Sequence, residues 1–139
     1  MQISSRFTIA LHILCLLKND PSNLRSSNFL SKSVNCNPVT IRRILLCLKK
    51  SGIVHIEKGK RGACLIKDLK SITLLDVYRS VEVVEKNKLF SFHKNPNPSC
   101  PVGTSIQMTL ELILIQTQER MENSLQNVTM QQVVSSLNL

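Results

Sequence analysis

No stretch of this sequence approaches the roughly 18 consecutive apolar residues that a membrane-spanning helix needs. The apolar run from Phe7 to Leu17 is interrupted by Thr8 and His12, and no small-residue cleavage site follows it. It therefore reads as a core helix rather than a signal peptide, and the expectation is a cytoplasmic protein. There is no Cys-x-x-Cys pair, no nucleophile–base spacing and no phosphate-binding glycine loop, so nothing supports an enzyme. The five cysteines are an odd number without a short secreted frame, which argues against a disulfide scaffold. Internal repeats are absent. Acidic residues are scarce: nine Asp and Glu stand against 18 Lys and Arg, a formal net charge of +9.

That charge is unevenly placed. Residues 1–70 carry 13 basic and 3 acidic side chains, whereas residues 71–139 carry 5 and 6. Residues 42–61 alone hold 7 basic residues and one acid, Glu57. A chain of 139 residues buries one core with room for an appended element. A basic half joined to a near-neutral half suggests that one part meets a polyanion while the other does something else.

The basic half is organised around residues 37–65. Asn37 suits an N-cap and Pro38 the first helical position, where its missing N–H costs nothing. Ile41, Ile44, Leu45 and Leu48 then recur at the spacing of a helix packed on one side. Arg42, Arg43, Lys49 and Lys50 fall off that stripe, and Gly52 marks the stop. Residues 53–56 predict a short strand, 58–62 a basic turn and 63–66 the returning strand. Helix, glycine and a hairpin with a basic tip is the pattern of a winged helix, whose helix enters the DNA major groove while the wing touches backbone or minor groove.

Elsewhere the reading is coarser. Ser4 or Ser5 caps a first helix with Phe7, Ala10, Leu11 and Leu14 inward; His12 lies beside that stripe as an edge or surface residue. Residues 19–23 are a turn cluster. Ser26 or Ser27 opens a second helix with Phe29, Leu30 and Val34 inward, and the turn at Asn35–Cys36 completes a helix-turn-helix. Residues 68–70 read as a linker. Thr73 with Asp76, and Thr129 with Gln132, have the spacing of capping boxes, the second opening a short helix with Val133, Val134 and Leu137 inward. Residues 95–99 form an irregular loop, because proline disfavours helix at the residue before it. Pro101 opens the longest helix, to about Gln126, too broadly apolar for one small domain to cover. The expectation is that part of it packs on the first helix and part on a second copy, since symmetric dimers are the commonest assemblies. The fold class is mainly α with a small β-hairpin wing: a winged helix-turn-helix over 1–70, and a linker helix, sensor loop and dimerisation helix over 71–139.

Several stretches, in order and over most of the chain, resemble the Rrf-two family of winged-helix regulators of the IscR, NsrR and CymR type. They are SSRFTIALHIL at the start, VNCNPVTIRRIL at the basic helix, KGKRGACL at the hairpin, ITLLDVYRSVE after it, and NPNPSCPVG before the long helix. The resemblance implies a homodimeric, sequence-specific DNA-binding regulator, usually a repressor on a palindromic operator. Members that hold an iron–sulfur cluster carry three closely spaced cysteines before the long helix; here residues 82–101 contain only Cys100. His93 with Cys100 is too small a set for zinc. No cofactor is expected, and the chain resembles the cluster-less branch, where thiol oxidation is one style of sensing. The hairpin departs from the family's glycine-rich pattern at Lys60, Arg61 and Ala63.

The residues expected to meet DNA are Asn37, Thr40, Arg42 and Arg43 on the helix and Lys58, Lys60 and Arg61 at the wing. Arginine can bridge guanine O6 and N7, asparagine can do the same at adenine, and either can instead hold a phosphate. Lys49 and Lys50 are weaker candidates, because lysines at a helix C-terminus also stabilise its dipole. Cys36 and Cys100 each precede a helix start with a proline nearby, a position that favours the thiolate an oxidant attacks. They are the expected redox pair, within or between subunits, whose oxidation would lower DNA affinity. Cys15, Cys47 and Cys64 lie inside regular elements and are expected to be buried small hydrophobes. Two other readings stay open: a winged-helix protein-interaction module whose basic face meets an acidic partner, and a repressor answering to a small-molecule effector.

Overall fold

The computed structural model describes residues 4–18, 24–57, 62–82 and 88–137. Helix α1 (Ser5–Leu17) is capped by Ser4, whose side chain accepts from the Arg6 N–H. It is the central pillar, in contact with α2, α3, α4, α6 and the hairpin. A helix surrounded in this way is apolar on more than one face. That is why Ile13 and Leu17 are buried alongside the expected Ala10 and Leu14, while Phe7 and Leu11 sit at the edge of the core. His12 is exposed.

Helix α2 (Ser27–Val34) begins at Ser26, whose Oγ accepts from the Phe29 N–H at 3.0 Å, and ends on Asn35 in the left-handed region. Leu30 is fully buried and Val34 half-buried. Phe29, expected inward, is 40% exposed, and its ring lies 4.7 Å beneath the Arg25 guanidinium. One residue along a helix is about 100° around it, so Leu30 and Phe29 cannot both face the same core. Residues 19–23, the expected turn cluster, lie outside the described residues.

Helix α3 (Pro38–Lys50) has the predicted cap: Asn37 Oδ1 accepts from the Val39 N–H at 2.8 Å. It buries Ile41, Ile44, Leu45 and Leu48, the four residues of the expected stripe. Gly52 follows at φ 73°, a conformation that glycine adopts without steric cost. Strands β1 (Val54–Glu57) and β2 (Gly62–Leu65) pair antiparallel, Val54 opposite Leu65 and Glu57 opposite Gly62. Each strand is offset by one residue from the sequence expectation: β1 starts at Val54, the Ile53 N–H being held by the Leu48 carbonyl of the preceding helix, and β2 starts at Gly62, opposite Glu57. Arg25 adds a rung beside β2: its N–H donates to the Ala63 carbonyl at 2.9 Å and its carbonyl accepts from the Ala63 N–H at 2.8 Å. Gly62, at φ 104°, passes so close that an added Cβ would collide with the Arg25 carbonyl.

The expected linker is a 3₁₀ turn at Leu69–Ser71, with Leu69 buried and Asp68 accepting from the Lys70 N–H. Helix α4 (Leu74–Val81) opens on the full Thr73–Asp76 capping box and packs on α1, α3 and α5. Residues 88–99 are irregular; helix α5 (Pro101–Gln126) then runs 26 residues, and α6 (Met130–Ser136) opens on the Thr129–Gln132 box. The Met130 N–H donates to the Ile72 carbonyl and the Leu74 N–H to the Val128 carbonyl, so α6 is tied back to the turn before α4. Met130 is the residue of α6 that is fully buried; Val133 and Val134 are half-buried, and Leu137, expected inward, is exposed beyond the helix end. The core therefore joins Ala10, Leu14, Ile44 and Leu48 with Leu69, Val77, Val81 and Met130.

Helix α5 does not pack chiefly on α1, as expected, but on α4. The sides of α1 are already taken by α2, α3, α4 and α6. Along the whole of α5 only Gln118 is buried, and its Oε1 accepts from the Leu89 N–H at 3.0 Å. Among the described residues no helix is long and apolar enough to cross a membrane.

Candidate nucleic-acid interface

The apolar stripe of α3 fixes which of its side chains face out. Ile41, Ile44, Leu45 and Leu48 point into the core, so Arg42, Arg43, Lys49 and Lys50 are exposed. None of these four forms an ion pair with a described carboxylate; Glu57, the lone acid of this basic stretch, faces His55 Nε2 at 3.0 Å instead. Among the described residues the cationic charge of the helix is thus uncompensated.

The two arginines are not equivalent. Arg42 lines a cleft of about 710 Å³ between α3, the start of α2 and the base of the hairpin, together with Ser26, Ser27, Asn28, Leu46 and Glu57. The first N–H groups of α2 lie at that helix's positive end. A guanidinium beside a helix N-terminus suits a phosphate oxygen. Arg43 does not line the cleft and stands free on the other flank of α3. Asn37 is exposed, but its Oδ1 already accepts the capping N–H, so a two-point contact with adenine would require that oxygen to accept a second bond. Thr40 is half-buried on the side of the helix. Lys58, Lys60 and Arg61 lie outside the described residues, although Glu57 and Gly62, which bracket them, line the same cleft as Arg42.

Sequence reasoning missed the contribution of Ser26, Ser27 and Asn28 to this cleft. The available signal was the Ser26 cap itself, which shows where α2 begins but not that the hairpin folds back beside it. It also left Val39 and Leu46 unremarked, although both are exposed large hydrophobics on α3.

All five cysteines are free thiols. Cys100 is exposed and caps α5, its Sγ accepting from the Gly103 N–H at 3.4 Å. Cys36 is half-buried against the core; its N–H donates to the Ser31 carbonyl, and its own carbonyl accepts from Ser31 Oγ. Cys36 lies in the turn between α2 and α3 and Cys100 at the start of α5; α3 and α5 share α4 as a neighbour, and no disulfide joins the two thiols. Cys64 is buried as expected, whereas Cys15 and Cys47 are only half-buried. Burial pushes the Cys15 thiol pKa up, with the nearby Lys18 charge partly offsetting it. On α5, Val102, Met108, Leu112 and Ile113 are exposed, Met108 to 80%, so this chain leaves an apolar face of the helix uncovered.

The family model for Rrf2, described as an iron-dependent transcriptional regulator, matches residues 3–136. A Bacillus subtilis (strain 168) protein named as an HTH-type transcriptional regulator, YwnA, is 42% identical over 135 residues, covering 97% of this chain and 98% of its own. A crystal structure of a protein described as DNA-binding is 38% identical with a TM-score of 0.74, over 93% of this chain and 98% of that one. The structure of CymR, the global cysteine regulator of B. subtilis, shares the fold at 18% identity, with a TM-score of 0.72 over 99% of both chains. The donor set here does not fit an iron–sulfur cluster. Residues 82–101 contain one cysteine, and no three His, Cys, Asp or Glu side chains group as metal ligands among the described residues.

Proposed function

The chain belongs to the Rrf2 family of transcriptional regulators, and from that premise we propose that it acts in the cytoplasm as a homodimeric repressor on a palindromic operator, released by thiol oxidation. Residues 1–70 serve as the reading part and residues 71–139 as the dimerising and sensing part. The observation that carries this reading is the cleft that joins Arg42, the start of α2 and the base of the hairpin. It gives α3 a phosphate clamp on one flank while Arg43 is free on the other. In this reading Arg42 fixes the helix against a backbone phosphate and Arg43 reaches a base edge. Lys58, Lys60 and Arg61 at the wing tip meet backbone or minor groove. Asn37 serves chiefly to set the angle at which α3 leaves the turn.

Two copies are needed to read a palindrome, and the uncovered face of α5 supports their union. With no cluster in this reading, the signal falls to the cysteines. A peroxide takes two electrons from the thiols of Cys36 and Cys100; the two sulfurs bond and their protons leave with the oxygens as water. Because both thiols are free here, the bridge forms between subunits or after movement. Either route pulls on the turn that roots α3, and DNA affinity falls.

Recovery of genomic fragments bound by the purified protein, with and without hydrogen peroxide, tests this. The expected outcome is one palindromic sequence that the wild-type protein releases on oxidation and the Cys36→Ser and Cys100→Ser proteins retain. Fragments without a common sequence would defeat the DNA-reading proposal. Equal release from all three proteins would remove these thiols from the mechanism.

A further inference from the structure

The outermost line of α3 carries two exposed apolar side chains and ends on a lysine. At roughly 100° per residue, Val39, Leu46 and Lys50 fall within about 40° of one another, opposite the buried stripe. Arg43 flanks that line on one side and Arg42 on the other. Val39 is 45% exposed and Leu46 52% exposed. Single exposed apolar side chains are ordinary on protein surfaces. Two of them on one line, between arginines without a described carboxylate partner, are a different matter. That flanking charge selects against an apolar protein partner and in favour of a polyanion that also presents apolar groups. In the DNA major groove those groups are the C5-methyls of thymine.

We propose that Val39 and Leu46 are specificity-determining residues that recognise thymine methyl groups, while the arginines beside them hold the strand. The inference rests on the reading of α3 as the groove-facing helix. Seven residues of helix rise about 10 Å, which matches about three base-pair steps of duplex. Each half-site therefore contains two thymines some three base pairs apart along the groove, one under each side chain. Both residues lie outside the core, so their truncation leaves the fold intact.

The test uses the full-length protein and the palindrome it selects, with each thymine of a half-site replaced in turn by uracil. Uracil keeps every hydrogen-bonding group and lacks only the methyl. Covering one methyl contributes about 0.8 kcal/mol, close to fourfold in affinity. The expected result is about fourfold weaker binding at each of two positions roughly three base pairs apart. Val39→Ala should remove the uracil penalty at one position and Leu46→Ala at the other. Equal affinity for thymine and uracil, or a penalty that persists in both alanine proteins, overturns the inference while leaving α3 as the reader. If Arg42→Ala and Arg43→Ala bind the palindrome as the wild type does, the premise about α3 fails and the inference falls with it. Altered self-association of Leu46→Ala, with uniform loss on thymine and uracil duplexes, assigns the line to contact between copies and also overturns it.

Discussion

At the scale of single residues, position around one helix separates two arginines that are adjacent in sequence. Arg42 shares a cleft with the first turn of α2, and Arg43 does not. Arg42→Ala should therefore weaken binding to specific and random duplexes alike. Arg43→Ala should cost about 1–3 kcal/mol on the operator and relax its preference at one base pair. Anisotropy titrations on operator and scrambled duplexes distinguish the two; identical behaviour of both variants would contradict the division of roles. A second residue has a consequence for stability. Among the described residues the buried Tyr78 hydroxyl has no hydrogen-bond partner, and its ring meets Phe7 edge-on at 5.7 Å. Burial, then the charges of Glu122 and Glu82, raise its pKa above the ordinary value of 10.0. The folded state thus favours the neutral phenol. That contribution is fully present below the unfolded pKa and is lost as pH rises through the raised folded value. Tyr78→Phe removes the orphan hydroxyl and should raise stability by about 1 kcal/mol near neutrality, with a shallower loss above pH about 10. Urea unfolding at two pH values measures both, and a less stable phenylalanine protein would mean the hydroxyl is satisfied in solution.

At the scale of elements, what was legible in the sequence was whatever depends on near neighbours. The Asn37–Pro38 start of α3, its buried stripe, and the Thr73–Asp76 and Thr129–Gln132 capping boxes are set within one or two turns of chain, and all stand where spacing placed them. What was not legible depends on partners distant in sequence. Phe29 turns out because Leu30 takes the core, and α5 seats on α4 because α1 is already surrounded. The cleft beside Arg42 needs the rung between Arg25 and Ala63, 38 positions apart, to bring the hairpin to α2. Gly62 permits that approach. Gly62→Ala should collide with the Arg25 carbonyl at a φ unsuited to alanine, costing roughly 2–3 kcal/mol and detaching the hairpin from α2. Chemical denaturation reads the first effect and loss of operator affinity the second. A variant that is unchanged in both would mean the hairpin is not held there.

At the scale of the whole molecule, the exposed basic side chains and the longest exposed apolar face lie on different helices. Helix α3 carries Arg42, Arg43, Lys49 and Lys50 exposed, and α5, seated on α4, carries exposed Met108, Leu112 and Ile113. A charge set into that apolar line should disrupt union without touching the reading surface. Leu112→Glu is expected to sediment as a monomer where the wild type sediments as a dimer, and to lose the palindrome while keeping weak affinity for a single half-site. An unchanged sedimentation coefficient would place the dimer contact elsewhere.

The central claim is that α3 and the hairpin form a sequence-reading, phosphate-neutralising surface. Its most direct test is the affinity of the wild-type protein for its selected palindrome and for a scrambled duplex, measured as salt rises. A preference of at least about a thousandfold for the palindrome is expected, with a linear fall of log affinity with log salt at a slope that reflects several neutralised phosphates. Equal affinity for the two duplexes, or affinity indifferent to salt, would contradict it.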